Sequence, residues 1–183
     1  MFSGKTEELI RRLNRARYAT QRVIVVKPEV DTRYAAADVV THSALRMDCV
    51  PVDRASQILE VVGDAQVVGI DEAQFFDVPL VEVANTLADE GRRVVVAGLD
   101  QDYRGVPFGP IPQLMAVAEY VSKVHAVCLV CGAPANRTQR LVPRTARVVL
   151  GAQETYEARC RMHWDPTSFD AQQQRLPLDD SGG

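Results

Sequence analysis

The sequence lacks several features that mark large classes of proteins. None of its apolar runs approaches the roughly 20 residues that span a bilayer, and its N-terminus lacks the apolar block of a secretory signal. It also lacks an excess of positive charge, because its formal net charge is −3, so no footprint for a nucleic-acid polymer is predicted. We therefore expect a cytoplasmic protein without a membrane or nucleic-acid partner. Local basic groups can still hold a small anionic substrate.

Cysteine is scarce as well, and its four positions are unevenly spread. Cys128-x-x-Cys131 and Cys160-x-x-His163 form two pairs with the spacing of a closed tetrahedral Zn²⁺ site, made of three thiolates and one imidazole. Such a set leaves no ligand position for water, so we expect a structural zinc ion. The alternative is that these residues fall into pairs by chance. Cys49 lies alone and is expected to be a small core residue.

What the sequence does have is an alternation of helical and extended patterns over its first two thirds. Helices are expected at Lys5–Tyr18, 54–62, 79–90 and 112–120, and strands at 22–27, 66–70, 93–97 and 122–130. This alternation predicts an α/β fold with a parallel sheet flanked by helices, and the Cys and His pairs predict a small zinc-bound domain at the C-terminal end. Gly4-Lys5-Thr6, directly before the first expected helix, makes the predicted sheet P-loop NTPase-like. We expect domains at 1–125 and 126–164, followed by a disordered tail at 165–183.

The segment Ser3-Gly4-Lys5-Thr6 runs directly into the first expected helix. Gly-Lys-Thr at a helix start is the second half of a P-loop. There, backbone N–H groups cradle phosphates, the lysine reaches the β- and γ-phosphates, and the threonine hydroxyl binds Mg²⁺. The first glycine of the full pattern would lie one position before Met1, and the strand that feeds such a loop is not in the sequence. A chance occurrence is therefore the alternative for this motif taken alone.

Two adjacent carboxylates support phosphate chemistry. Asp71 and Glu72 follow the apolar strand expected at 66–70. An acidic residue at the carboxyl edge of a parallel sheet is the usual second Mg²⁺ contact of P-loop enzymes. Because neighbouring strand residues point to opposite sides, one carboxylate can face the metal and the other the acceptor hydroxyl. The alternative is a solvated strand end that carries charge.

In this order, the segments resemble the type II, zinc-containing thymidine kinase family, in its bacterial type. The resemblance covers the chain to about Trp164. It rests on Met1-Phe-Ser-Gly-Lys-Thr6, Asp31-Thr-Arg-Tyr34, Gly69-Ile-Asp-Glu-Ala-Gln-Phe-Phe76, Gly98-Leu-Asp100, Arg104-Gly-x-Pro-Phe-Gly109 and the Cys pairs, with Tyr156 just before Cys160. It implies transfer of the γ-phosphate of ATP to the 5′-hydroxyl of thymidine or deoxyuridine. The product, thymidine monophosphate, would enter nucleotide salvage and DNA synthesis.

The resemblance also implies a role for each matching residue. The residues implied at the ATP phosphates and Mg²⁺ are Ser3, Gly4, Lys5, Thr6, Asp31, Arg33 and Asp71, of which Thr6 and Asp71 would contact the metal. Glu72 would be the general base on the 5′-hydroxyl. The residues implied around the nucleoside are Met1, Phe75, Leu99, Tyr103, Phe108, Thr138 and Tyr156. Without the family, these aromatic residues and Phe76 would be interpreted as core, and Arg33 as a solvated surface charge.

Further properties follow from the same resemblance. The zinc-anchored segment would be a lasso that closes over the base, and the protein would be a homotetramer inhibited by thymidine triphosphate. Tyr103 stands where the family commonly has Phe, which places a hydroxyl near an apolar pocket. Family members carry a strand and a glycine before the Met1 segment, so we expect the natural protein to be longer. Two other functions stay open: a catalytically impaired P-loop and zinc binding module, and a zinc-ribbon interaction protein.

Overall fold

The computed structural model describes residues 2–29, 38–40, 46–141 and 156–167. Within them, the helices are α1 (Lys5–Tyr18), α2 (Ile58–Val61), α3 (Leu80–Asp89) and α4 (Ile111–Val117), with 3₁₀ turns at Ala55–Gln57 and Ala73–Phe75. The strands there are β1 (Val23–Pro28), β2 (Asp38–Val40), β3 (Arg46–Asp48), β4 (Val50–Val52), β5 (Val67–Ile70), β6 (Arg93–Val96), β7 (Ala126–Val127), β8 (Pro134–Ala135), β9 (Arg137–Arg140) and β10 (Tyr156–Arg159). None of the described helices is long and apolar enough to cross a bilayer. Three predicted site residues, Met1, Asp31 and Arg33, lie outside the described residues.

Four strands form a parallel sheet in the order β4-β1-β5-β6. Strand β1 pairs with β4 in the register Val26–Val50 and with β5 in the register Val23–Val67, and β5 pairs with β6 in the register Val67–Arg93. Parallel neighbours need crossover connections, which place helices on the faces of the sheet. The α/β class predicted from the alternation of elements is therefore confirmed.

Different helices pack on the two faces of this sheet. On one face, Leu13 of α1 lies in a buried cluster with Val67 of β5. On the other, Val68 of β5 lies in a cluster with Leu80 of α3, because successive strand residues point to opposite faces. Gly69 shares the α1 face with Val67, and a Cβ built on it would lie 2.6 Å from Leu13 Cδ1. The missing side chain at this position therefore lets α1 lie close against the sheet.

The strand predicted at 122–130 is wrong except for Ala126–Val127, which form β7. A strand needs a neighbouring backbone as its ladder partner. For 122–125 the described part of the chain offers no such partner. The Ser122 hydroxyl instead accepts a hydrogen bond from Arg12 at 3.0 Å. The apolar pattern of this segment was therefore insufficient to specify a strand.

The described residues fall into two compact units. The sheet unit comprises Ser3–Asp100 and Pro107–Val124, and it contains all four helices and the parallel sheet. The cysteine unit comprises Phe2, Gln101–Val106 and the described residues from His125 onward. In the cysteine unit, β7 pairs with β8 and β9 pairs with β10, both antiparallel. The domain boundaries expected from the sequence stay a prediction.

We expect Gly69→Ala to destabilise the protein by about 1–3 kcal/mol, because the new methyl group would meet the fully buried Leu13 side chain. Urea unfolding followed by circular dichroism measures this loss. Leu13→Val removes one carbon from the crowded side chain and tests the cause. The double variant should lose less stability than the sum of the two single variants. Additive losses would contradict the idea that this close contact limits the position of α1.

Candidate active site and metal centre

The start of α1 forms the first part of the candidate site. Gly4 precedes the helix with a φ of 75°, a left-handed conformation that favours glycine. The chain thereby turns into α1, and the Glu8 N–H donates the first helical hydrogen bond to the Gly4 carbonyl at 2.9 Å. Ser3, Lys5 and Thr6 beside it are half-buried. Because the N–H groups of a first helical turn lack partners within the helix and favour anions, this end of α1 suits a phosphate group.

Asp71 joins this helix start to the end of β5. Its Oδ2 accepts a hydrogen bond from the Thr6 hydroxyl at 3.2 Å, and its Oδ1 accepts one from the Glu72 N–H at 2.9 Å. Burial, and then the charge of Glu72, raise the pKa of the Asp71 carboxyl to about 6, although these hydrogen bonds and the charge of Lys5 act to lower it. A hydroxyl and a carboxylate side by side are the donors with which P-loop enzymes hold Mg²⁺, so the residues present fit that ion.

Glu72 follows in a left-handed backbone conformation, with φ 48° and ψ 37°. For a residue with a side chain this costs about 1 kcal/mol or more, and it persists where the surroundings fix the backbone. The chain then enters the Ala73–Phe75 turn, where the Ala73 N–H donates to the Ala97 carbonyl at 3.0 Å. This turn places the Glu72 carboxylate beside Gln74, whose Nε2 donates to Glu72 Oε2 at 2.5 Å. The two adjacent carboxylates therefore have different partners, as two separate tasks require.

The sequence pattern predicts no role for Gln74. Its side chain is only 2% exposed, and its Oε1 accepts a hydrogen bond from the Leu99 N–H at 2.9 Å. The amide therefore bridges the Glu72 carboxylate and the backbone of Leu99. Gln74 belongs to the family motif Gly69–Phe76, but a glutamine at this position in the sequence does not indicate which groups its side chain binds.

Three of the predicted nucleoside contacts, Phe75, Leu99 and Phe108, lie in the sheet unit. The rings of Phe75 and Phe108 pack edge to face, with centroids 5.6 Å apart and an interplanar angle of 87°. Both residues are half-buried, whereas Phe76 is buried in the core cluster of the α3 face. The core interpretation is therefore correct for Phe76. Phe75 and Phe108 keep exposed surface that a ligand can contact.

The other predicted nucleoside contacts, Tyr103, Thr138 and Tyr156, lie in the cysteine unit. Thr138 and Tyr156 are buried on the paired strands β9 and β10. The Tyr103 hydroxyl accepts a hydrogen bond from Arg104 Nε at 2.9 Å, so the polar atom that departs from the family pattern has a partner. The guanidinium of the buried Arg140 lies 4.8 Å from the centre of the Tyr103 ring, a cation–π contact that the sequence analysis missed.

Trp164, at which the family resemblance ends, is a second missed feature of the cysteine unit. Its Nε1 donates to the Tyr103 carbonyl at 3.1 Å, and the Arg137 guanidinium lies 4.7 Å from the centre of the indole ring. A Cβ on Gly105 would lie 2.7 Å from the same ring. The Trp164 side chain therefore holds the 101–106 segment of this unit. A single tryptophan gives no such indication in the sequence.

The four predicted metal ligands, Cys128, Cys131, Cys160 and His163, lie together in the cysteine unit. Their ligand atoms all lie within 4.8 Å of one another. The Sγ atoms of Cys131 and Cys160 are 3.8 Å apart, and His163 Nδ1 is 3.8 Å from Cys128 Sγ and 3.2 Å from Cys160 Sγ. A tetrahedron with Zn–S bonds of about 2.3 Å has edges of about 3.8 Å. The cluster can therefore hold a metal ion, and both its size and its thiolate-rich donor set fit zinc.

Tight turns place these ligands. The Gly132 N–H donates to the Cys128 carbonyl at 2.9 Å, and the His163 N–H donates to the Cys160 carbonyl at 3.2 Å. Gly132 has a φ of 74°, which the first turn requires and glycine allows. Burial acts to raise the pKa of the Cys128 thiol, but hydrogen bonds from neighbouring backbone N–H groups outweigh it and lower the pKa to about 6. The backbone thus favours the thiolate, which is the form that binds metal.

Comparison with known proteins assigns the chain to a family. A family profile described as thymidine kinase matches residues 1–164. A thymidine kinase of Rhodothermus sp. (strain ITI 518) is 61% identical over 166 residues, which are 91% of this chain and 78% of that protein. The chain belongs to the thymidine kinase family. The resemblance drawn from the motifs is therefore confirmed, and the parallel sheet and Cys/His cluster described above are those of a thymidine kinase family member.

For this member of the thymidine kinase family, we expect one bound zinc ion per chain, as measured by inductively coupled plasma mass spectrometry. Cys160→Ala should lose the ion and lower the melting temperature, because the buried cluster around the cysteines contains only small side chains. Cys49→Ala removes a thiol that packs against the α1-face core, and it should keep the ion. Equal zinc contents in the two variants would contradict the assignment.

Asp71→Asn should stabilise the Mg²⁺-free protein at pH 7. With a pKa of about 6 when folded against an ordinary value of 3.8, the Asp71 carboxyl binds more protons in the folded than in the unfolded state between these pH values. Its contribution to the free energy of unfolding is therefore lost as the pH rises from about 4 to about 6, by at most about 3 kcal/mol.

Urea unfolding at a series of pH values measures this effect, and stability should decline less steeply with pH in the Asp71→Asn variant. Asp53→Asn makes the same chemical change at an exposed position and should follow the unmodified protein. A decline as steep in Asp71→Asn as in the unmodified protein would show that the buried carboxyl does not cause it.

Proposed function

We propose that the chain is a thymidine kinase that transfers the γ-phosphate of ATP to the 5′-hydroxyl of thymidine or deoxyuridine. The observation that carries this proposal is the hydrogen bond between Thr6 and Asp71, with Glu72 directly after it. It brings the phosphate-binding end of α1 together with two carboxylates that have different partners. The function of a zinc-ribbon interaction protein does not require a phosphate-binding helix start beside two carboxylates. A module that only binds nucleotide has no use for a second carboxylate held in a costly left-handed turn.

The start of α1 forms the phosphate side of the proposed site. The backbone N–H groups near Ser3 and Gly4 and the ammonium group of Lys5 suit the ATP phosphates. When bound with ATP, Mg²⁺ neutralises phosphate charge, and Thr6 and Asp71 are the residues that would hold it. Asp31 and Arg33 lie outside the described residues, and the family resemblance supports placing them near the transferring phosphate.

Glu72 is the proposed general base. As the 5′-oxygen of the nucleoside attacks the γ-phosphorus, the Glu72 carboxylate accepts the hydroxyl proton. The new bond joins the 5′-oxygen to the γ-phosphorus, while the bond from that phosphorus to the β–γ bridging oxygen breaks. The bridging oxygen leaves with the electron pair as part of ADP. Lys5 balances the negative charge of the phosphates during the transfer.

The nucleoside contacts are proposed as two groups. The first consists of Phe75, Leu99 and Phe108 in the sheet unit, where the exposed parts of the two rings can contact a base or a sugar. The second consists of Tyr103, Thr138 and Tyr156 in the cysteine unit. Met1, which lies outside the described residues, belongs with them by resemblance to the family.

The remaining expectations belong to the same proposal. They are a structural zinc ion, a homotetramer, feedback inhibition by thymidine triphosphate, a cytoplasmic location, domain boundaries at 125 and 164, and a disordered tail at 165–183. Residues 168–183 of this tail lie outside the described residues. The homotetramer and the feedback inhibition come from the family resemblance. The zinc ion comes from the spacing of the Cys and His pairs, and the geometry of the Cys/His cluster supports it in addition.

The experiment that tests the function is a measurement of ADP release with Mg²⁺-ATP and each nucleoside in turn. We expect thymidine and deoxyuridine to stimulate release, and the other deoxynucleosides to leave it at the ATP-only rate. Stimulation by none of them, in a sample that contains zinc and melts cooperatively, would reject the proposal. Stimulation by purine nucleosides alone would reject the proposed substrate.

Glu72→Gln should lower kcat by about 10²–10⁴-fold, since it removes the group that accepts the proton. Its melting temperature should stay close to that of the unmodified protein, because a glutamine at this position still offers Gln74 an acceptor oxygen. Glu60→Gln makes the same change on the exposed surface of α2 and is the matched control. A kcat of Glu72→Gln near that of the control would remove Glu72 from its proposed role.

A further inference from the structure

We propose that Gln74 is the positioning residue for the Glu72 carboxylate, an inference that rests on the proposed function of Glu72 as general base. The Gln74 amide joins that carboxylate to the backbone N–H of Leu99, which follows β6. The carboxylate is thereby fixed to a part of the sheet unit outside its own turn. Gln74 acts on the reaction through Glu72 and not through contact with the reacting atoms.

Both polar atoms of the Gln74 side-chain amide form hydrogen bonds. Its Nε2 donates to Glu72 Oε2, and its Oε1 accepts the Leu99 N–H at 2.9 Å. An ionised carboxylate only accepts hydrogen bonds and a backbone N–H only donates them, so one amide orientation satisfies both partners. A glutamate at position 74 would keep the acceptor but lose the donor, and a methionine would lose both. The chemistry of the two partners therefore calls for an amide at this position.

The surroundings of Gln74 fix it in turn. Its side chain is 2% exposed, and a Cβ on Gly98 would lie 3.0 Å from its Oε1. A Cβ on Gly109, whose φ is +53°, would lie 2.3 Å from the Gln74 carbonyl oxygen. Gly109 therefore leaves space for the backbone of Gln74, and Gly98 leaves space for the Gln74 amide and for Ile111, whose Cδ1 would lie 2.5 Å from a Cβ on Gly98. This gives a physical reason for two glycines of the family motifs. A side chain held by packing in this way can fix the position of the group that it binds.

The backbone of Glu72 is fixed by its turn, but its side chain is long and keeps exposed surface, so a bonded partner is needed to fix the carboxylate. The residue is half-buried and lies in a left-handed conformation directly after Asp71. A glutamate side chain exchanges rotamers rapidly when exposed, whereas a general base must lie within hydrogen-bond reach of the proton it accepts. With Oε2 bound by Gln74, Oε1 is the oxygen that takes the 5′-hydroxyl proton. Loss of this restraint should lower kcat more than it raises KM.

Steady-state kinetics of Gln74→Met and Gln74→Glu test the inference. We expect kcat to fall about 10- to 100-fold in both variants, with the KM values for ATP and thymidine within about threefold of the unmodified protein. The matched control is Gln57→Met, because Gln57 Oε1 accepts the N–H groups of Asp53 and Arg54 at 2.8 and 3.0 Å. Its melting temperature should fall through the loss of these hydrogen bonds, while its kcat stays within about twofold.

A double-variant cycle with Glu72→Ala separates positioning from a general structural role. If Gln74 acts through Glu72, Gln74→Met should lower kcat little further once Glu72 is alanine. The same factor of loss in both backgrounds would overturn the inference, and so would an unchanged kcat in Gln74→Met. The melting temperatures of the unmodified protein, the two single variants and the double variant give a second cycle, which can be interpreted without any enzymatic activity. Non-additive losses there support the contact, and additive losses reject it.

The proposed function and the inference fail in different ways. If the unmodified chain shows no nucleoside-dependent ADP release, the kinase proposal fails, and the melting-temperature cycle still decides whether Gln74 holds Glu72. If the unmodified chain turns over thymidine and Gln74→Met does so equally well, only the inference about Gln74 is overturned.

Discussion

The hydrogen bond between the Thr6 hydroxyl and the Asp71 carboxylate joins two positions that are 65 residues apart in the chain. To form it, a carboxylate has to be buried, and burial disfavours its charged form. Gly69 of β5, two residues before Asp71, lets α1 lie close against the sheet at Leu13. The apolar packing of Leu13 and Val67 on the α1 face of the sheet offsets the electrostatic cost. The burial of Asp71, and with it the chemistry of the site, therefore depends on the apolar packing between α1 and the sheet.

Several features could be predicted from the sequence because short-range pattern determines them. Helix α1 begins and ends at the predicted residues, since its apolar spacing and its glycine start are local. The β-branched runs around Val25 and Val68 predicted buried parallel strands, because both of their faces are covered. Cys128 and Cys160 each stand three positions before another ligand, a spacing that is itself set by the geometry of a metal site.

Other features could not be predicted, because they depend on partners that are distant in the sequence. The Gln74 amide binds a backbone N–H 25 positions further on, and only the folded sheet brings the two together. The segment 122–130 has the composition of a strand, but pairing and not composition decides whether a strand forms. Likewise, no local pattern connects Arg140 with Tyr103. The residues that support the site are therefore harder to predict from the sequence than the residues that form it.

Neither unit of the protein is one continuous piece of chain. The segment Gln101–Val106 leaves the sheet unit after Asp100 and the chain returns to that unit at Pro107. Within the segment, the Tyr103 carbonyl is bound by the indole of Trp164. A fragment that ends at residue 124 would keep this hexapeptide but lose the tryptophan that holds it. A single cut in the chain therefore cannot give one fragment with the whole sheet unit and another with the whole cysteine unit, because Gln101–Val106 lies in sequence between the two parts of the sheet unit.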